Sequence, residues 1–240
     1  MLKVKPLSSL VKVFSDEEPK AKSFNRVSIF RNEKSSMQIA LMSDVDCKLT
    51  VGINSAMGDM LKAYIVEELY SGLPLGKHQD DYTLRKDSGM FPELLRPFEG
   101  EISLKAGAWT SLWLSTEPKG ELPSGEQKVE VSLQGNGVDE KVELTFDVID
   151  CDLPKQTLKY TNWFHTDCLS TYYNAPVFSD RYWEIVENYL ITAHEYGMNA
   201  VLTPIFTPPL DTRIGGERPT VQLIGVSVKD KEYSFDFSNL

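Results

Sequence analysis

Apolar and polar residues alternate at period two along most of the first 150 positions. The alternation is clearest at Val27–Arg31, Met37–Met42, Lys48–Ile53, Ala63–Tyr70, Glu101–Lys105, Ser111–Ser115, Gln127–Leu133 and Val142–Ile149. A strand patterned this way turns one face to a core and the other to water. Turn residues punctuate the runs at Gly120, Pro123–Gly125 and Gly135-Asn136-Gly137. Eight short strands at this spacing predict an antiparallel β-sandwich. Between them, Ser71–Glu99 is rich in Gly, Pro and Asp and holds Phe91, Leu94, Leu95 and Phe98 without a period. It predicts a long ordered loop anchored by those apolar side chains.

The pattern changes after Asp150-Cys-Asp-Leu-Pro154, a short link whose proline ends the last strand. Leu158–His165 predicts a strand and Ser179–Tyr196 a helix, with Ser179 or Asp180 as cap and Gly197 as stop. Tyr182, Val186, Tyr189 and Ala193 supply the helix's packing stripe, and Asn199–Phe206 predicts the next strand. Strand, helix and parallel strand form a βαβ unit. Arg218–Val228 and Tyr233–Phe237 then predict a hairpin turning at Lys229-Asp230. The fold class is therefore mixed: a sandwich over residues 1–150, then the first βαβ part of an incomplete (β/α)8 barrel over 151–240. A whole barrel needs roughly 250 residues. Strand edges left open at 158–165 and 199–206 would expose apolar surface, so either self-association through these strands or a mobile tail is expected.

Net charge is −10, spread as −6 over residues 1–150 and −4 over 151–240. Such a chain lacks the clustered Lys and Arg that meet phosphates, which argues against nucleic acid as a partner. It has no 18-residue apolar stretch, which argues against a membrane span, and no apolar run of signal-peptide length near Met1. With three scattered cysteines, Cys47, Cys151 and Cys168, this predicts a cytoplasmic protein without a disulfide framework. Three histidines and three cysteines without ligand spacing give no metal site, and no cofactor motif is present.

Ligands of βα units bind at the carboxyl ends of the strands. There the first strand ends in Trp163-Phe-His165-Thr-Asp167, its loop carries Tyr172 and Tyr173, and Arg213 follows the second strand. Aromatic rings beside a few hydrogen-bonding groups suit a carbohydrate, whose C–H faces stack while its hydroxyls pair. Trp163, His165, Asp167, Tyr172, Tyr173 and Arg213 are thus the candidate substrate-binding residues. Packing is the competing role for the tyrosines. Arg218, on the inserted hairpin, would reach a substrate or pair with a nearby carboxylate.

Three stretches carry a family resemblance: Trp109–Trp113 through Pro123–Val131, Asn162–Cys168, and Thr203–Pro209 leading to Val221-Gln-Leu and Tyr233–Phe237. In order and spacing they resemble the bacterial sandwich-plus-barrel glycoside hydrolases typified by family 123 N-acetylgalactosaminidases and their relatives with the DUF4091 domain. The resemblance implies substrate-assisted hydrolysis, in which the sugar's own acetamido oxygen attacks the anomeric carbon. It also implies an adjacent Asp-Glu pair on a later barrel strand, the Asp orienting the acetamide and the Glu serving as acid and base. No barrel strand here carries that pair. The run Ser15-Asp-Glu-Glu-Pro19 lies in the other domain and reads as a solvated charge run. No catalytic residue is therefore assigned. The chain reads as the N-terminal part of a glycoside hydrolase for N-acetylhexosamine-type glycans, inactive alone. The alternative is a non-catalytic carbohydrate-binding or protein-interaction module.

Overall fold

The computed structural model describes residues 1–72, 81–206, 212 and 214–240. The chain divides into two compact units, Met1–Pro154 and Lys155–Leu240.

Among the described residues ten strands build the first unit: β1 (Leu2–Ser8), β2 (Arg26–Phe30), β3 (Ser35–Ser43), β4 (Cys47–Ser55), β5 (Leu61–Ser71), β6 (Gly89–Pro97), β7 (Glu101–Leu104), β8 (Trp109–Thr116), β9 (Gly125–Gly135) and β10 (Val138–Ile149). They form two five-stranded sheets, ordered β1-β3-β8-β5-β6 and β2-β10-β9-β4-β7. One core lies between them. Met37, Ile39, Leu41, Leu112 and Leu114 of the first sheet meet Leu49, Val129, Val131, Leu133, Leu144 and Phe146 of the second, all buried. The strict alternation of the strands puts these residues on a common face.

The outcome differs from the sequence pattern at three places. Gly89–Pro97, read within a long loop, is strand β6, and Leu2–Ser8 adds β1. Both are sheet edges and both carry prolines (Pro6; Pro92 and Pro97), the position where a missing N–H costs a sheet least. The sandwich is not purely antiparallel, because β2 pairs parallel to β10, Val27 opposite Phe146. The Ser15–Glu18 run is solvated as its charge implies, with Asp16, Glu17 and Glu18 exposed, and it is also anchored. Asp16 receives a forked pair of hydrogen bonds from Arg85, whose guanidinium lies 3.6 Å from the Phe14 ring centroid, and Ser15 donates through both N and Oγ to Glu68. Arg85 holds the Asp16 carboxyl below its usual range, chiefly by hydrogen bonding.

The connection between β1 and β2 covers part of the first sheet's outer face, where Leu7, Val13, Ala40 and Trp109 make a second small core. Buried Gln38 ties it down, donating through Nε2 to the carbonyls of Ser8 and Val11 and accepting from Ser111 Oγ at 2.6 Å. The outer face of the other sheet is polar, laced by cross-strand pairs such as Arg26–Glu126 and Lys141–Glu130. β9 turns into β10 through Asn136-Gly137, with φ of +50° and +77°, and Gly135 before it has φ +133°. A Cβ on Gly135 would sit 2.8 Å from the Lys48 carbonyl oxygen, so only glycine fits.

The second unit holds α1 (Asp167–Tyr173), α2 (Asp180–Glu195) and the hairpin β11 (Gly225–Lys229) and β12 (Glu232–Asp236). Ser179 Oγ caps α2 by accepting from Tyr182 N–H. At the other end Gly197 (φ +97°) donates to His194 O, and Met198 to Ala193 O, closing the helix in a Schellman arrangement. Tyr182, Ile185 and Val186 are its buried residues, whereas Tyr189 is 41% exposed, so the stripe turns further toward Ile185 than the apolar spacing predicts. Exposed His194 lies in the last turn, its ring Nδ1 3.2 Å from Met198 O.

The two strands predicted around α2 do not form a ladder. Tyr160 O accepts from the N–H groups of Asn199 and Ala200, while the Asn199 side chain bonds Tyr160 N and Leu158 O. An amide side chain thus occupies the place a backbone ladder would take. A lone parallel pair has little stability of its own, since parallel strands occur in sheets buried on both faces. Residues 218–224 likewise stay outside the hairpin, whose turn is Asp230-Lys231 rather than Lys229-Asp230.

Candidate functional site

Cys168–Tyr173 reads as loop in the sequence but is the body of α1, and this reorganises the predicted site. The segment 160–165 carries no regular element and hands over to a helix at Asp167, so His165 lines a cavity while Asp167 turns to Arg218. Leu169, Ala175, Tyr182, Ile185, Val186 and Val221 pack beneath as the unit's core, with Phe164, Val177, Phe178 and Leu190 against them.

A cavity of about 190 Å³ opens beside this core, between the start of α2 and the segments 164–166, 201–204 and 221–223. His165 and Thr166 supply polar groups, while Phe164, Tyr182, Trp183, Leu202 and Leu223 make most of the wall. Thr166 Oγ1 and Tyr182 Oη are 2.6 Å apart. Burial of the Tyr182 ring raises its phenol above the usual range, the Thr166 hydrogen bond opposing and the Asp167 charge adding to the rise. Tyr182 is therefore a neutral hydrogen-bonding group at physiological pH.

Asp167 does not reach the cavity. It is 1% exposed, and both its oxygens are taken by Arg218, Oδ2 from Nε at 2.6 Å and Oδ1 from Nη2 at 2.9 Å. This is the side-on, two-bond arrangement that Arg forms with a carboxylate. Of the two roles Arg218 had in the sequence, the structure gives it the carboxylate.

The remaining candidates lie elsewhere. Trp163 is 70% exposed and borders a groove of about 560 Å³ that Asn162, Asn188, Tyr189 and Tyr196 also line. Tyr172 is 82% exposed and packs edge-on against Tyr173 at 4.9 Å. Tyr173 Oη lies 3.1 Å from Tyr189 Oη, and Phe164 stacks on Tyr189 at 5.9 Å, so this aromatic group continues from the groove to the cavity wall. Arg213, with Asp211 before it, lies outside the described residues. The structure thus brings His165 together with Thr166, Tyr182 and Trp183, and Trp163 with Tyr189 and Tyr196. Tyr182 read only as a helix packing residue and Trp183 gave no signal, because their positions three and four residues after the Ser179 cap conceal that they also line a cavity.

The chemistry available is binding chemistry: apolar walls for a ring face or acyl group, with imidazole and hydroxyl groups at one side. Among the described residues no group of three His, Cys, Asp or Glu side chains could hold a metal ion. No helix among them is long and apolar enough to cross a membrane.

Residues 163–240 match the family model described as Glycoside hydrolase 123, catalytic domain. Over its full length the chain is similar in fold to a family 123 glycoside hydrolase from Clostridium perfringens, whose structure was analysed for the details of glycolipid glycan hydrolysis. The TM-score is 0.73 at 13% identity, covering 100% of this chain and 44% of that one. No curated protein sequence matches the chain. The chain is thus a β-rich protein like the family 123 glycoside hydrolases. It spans less than half the length of the solved enzyme.

Proposed function

We propose that these 240 residues are the sandwich and the opening part of a (β/α)8 catalytic barrel of a cytoplasmic glycoside hydrolase. Its substrates are glycans bearing an N-acetylhexosamine. The observation that carries this reading is the full-length fold likeness to a family 123 enzyme of which the chain covers 44%, together with the catalytic-domain match at 163–240. The cavity beside His165 supplies part of the sugar site, with the Trp163 groove as an outlying stacking surface. The acid and base belong to another part of the barrel, because residues 155–240 contain no adjacent Asp-Glu pair. In the first unit Asp16-Glu17 is engaged by Arg85, and Asp139-Glu140 lies in β10.

Two measurements test this. The native protein from its source should weigh more than twice the 27.1 kDa of this chain, as the 44% coverage requires. A native mass of 27.1 kDa would favour a non-catalytic binding module. The 240-residue chain should also release no nitrophenol from p-nitrophenyl N-acetyl-β-D-galactosaminide. Turnover by it would show that the chemistry lies within these residues.

A further inference from the structure

The wall of the cavity opposite α2 is a strap, residues 218–224, and the described residues fasten it at both ends. At its far end Leu223 N–H bonds Pro204 O at 2.9 Å and Ile224 N–H bonds Ile205 O at 3.1 Å. At its near end Arg218 grips Asp167. Between them Val221 is 4% exposed, and Val221 and Leu223 both face the cavity. Asp167 follows His165 and Thr166 directly in the chain, so one ion pair fixes two cavity walls against each other. Neither Asp167 nor Arg218 lines the cavity itself.

We infer that Arg218 is a positioning residue for the ligand cavity: through Asp167 it sets the distance between the Val221–Leu223 wall and His165. The inference rests on the reading of this cavity as part of the sugar site. The geometry demands Arg in particular, because Nε and Nη2 engage the two carboxylate oxygens together. A lysine keeps the charge but offers a point contact on a flexible stem, and leaves the strap free to shift. Full removal of the cation would leave a buried carboxylate unpaired, which disturbs folding as well as position.

The test is a titration of the 240-residue chain with p-nitrophenyl N-acetyl-β-D-galactosaminide, followed by NMR on the His165 ring and the Val221 and Leu223 methyls. In the native chain these signals should shift together and saturate. Arg218→Lys should weaken binding about tenfold, about 1.4 kcal/mol of affinity, while the melting temperature changes little. If Arg218→Lys fails to fold, Asp167→Asn/Arg218→Gln removes both charges without leaving one buried alone, and it should show the same loss. Native-like affinity in a folded variant overturns the positioning role and leaves the cavity reading intact. Absence of saturable shifts at His165 in the native chain overturns the cavity reading, and this inference with it.

Discussion

The two units handle the same problem, how to bury amphipathic elements, with opposite results. In residues 1–154 the strands bury one large core and a smaller one outside it, and the large buried side chains there include Phe146, Leu49, Leu112 and Leu114, each 0% exposed. Among the described residues of 155–240 the core cluster holds six buried residues, while Leu158, Trp163, Tyr196, Val201, Phe206, Tyr233 and Phe237 are each more than half exposed. The hairpin β11–β12 sharpens the contrast. Val226 opposes Phe235 and Val228 opposes Tyr233 on one face, all exposed, with Ser227 and Ser234 bonded on the other. A sandwich closes on itself with what its own strands supply. Elements with apolar residues on two sides need cover on both, and the few in residues 155–240 leave many of theirs exposed.

The largest test of that contrast is to part the units. Residues 1–154 alone should unfold cooperatively, with a single sharp transition in urea. Residues 155–240 alone should bind an apolar dye and exchange their amide protons fast; a sharp transition there would show that this unit covers itself after all. Next in size, Phe146→Ala removes a fully buried ring from the sandwich core and should cost about 3–5 kcal/mol in chemical denaturation. Trp163→Ala, at a 70% exposed position, should stay within about 0.5 kcal/mol.

A smaller effect concerns Tyr182, whose phenol is raised by burial above its reference of 10.0. The folded state holds that proton more tightly than the unfolded state, so this contribution is complete below pH 10 and is lost as pH climbs through the raised value. Tyr182→Phe should therefore flatten the alkaline fall in melting temperature above pH 10, and an unchanged slope would exonerate this residue. A further small effect lies in the two hairpin turns. Asn136-Gly137 suits its positive φ pair, whereas Lys231 carries a side chain at φ +69°. Lys231→Gly should stabilise the hairpin by about 0.5–1 kcal/mol, read as slower amide exchange at Val228 and Tyr233.

What the sequence disclosed follows the same division. All eight alternating runs are strands, because each has one face in a core and the alternation records that face. Edge strands β1 and β6 left weaker traces, since prolines and half-exposed residues such as Met90, Leu94 and Leu95 break the pattern. In the second unit α2 and its cap were legible from Ser179 and Gly197, local signals that need no neighbour. The site was not, because His165 and Asp167 are parted by the start of α1, and Cys-Leu-Ser-Thr-Tyr-Tyr carries little helix propensity to announce it. Arg218 and Asp167 are 51 positions apart, and nothing local in either segment names the other.

The parallel pairing of β2 with β10 has a bearing on synthesis. Val27 waits for Phe146, and Asn25 O for Thr145 N–H, across well over a hundred positions. A chain emerging from the ribosome at about 5–20 residues per second holds β2 as an unpaired edge until the last sandwich strand is out. During those seconds Ile29, later 1% exposed, has no cover, and a chaperone that engages Arg26–Phe30 would find it only then.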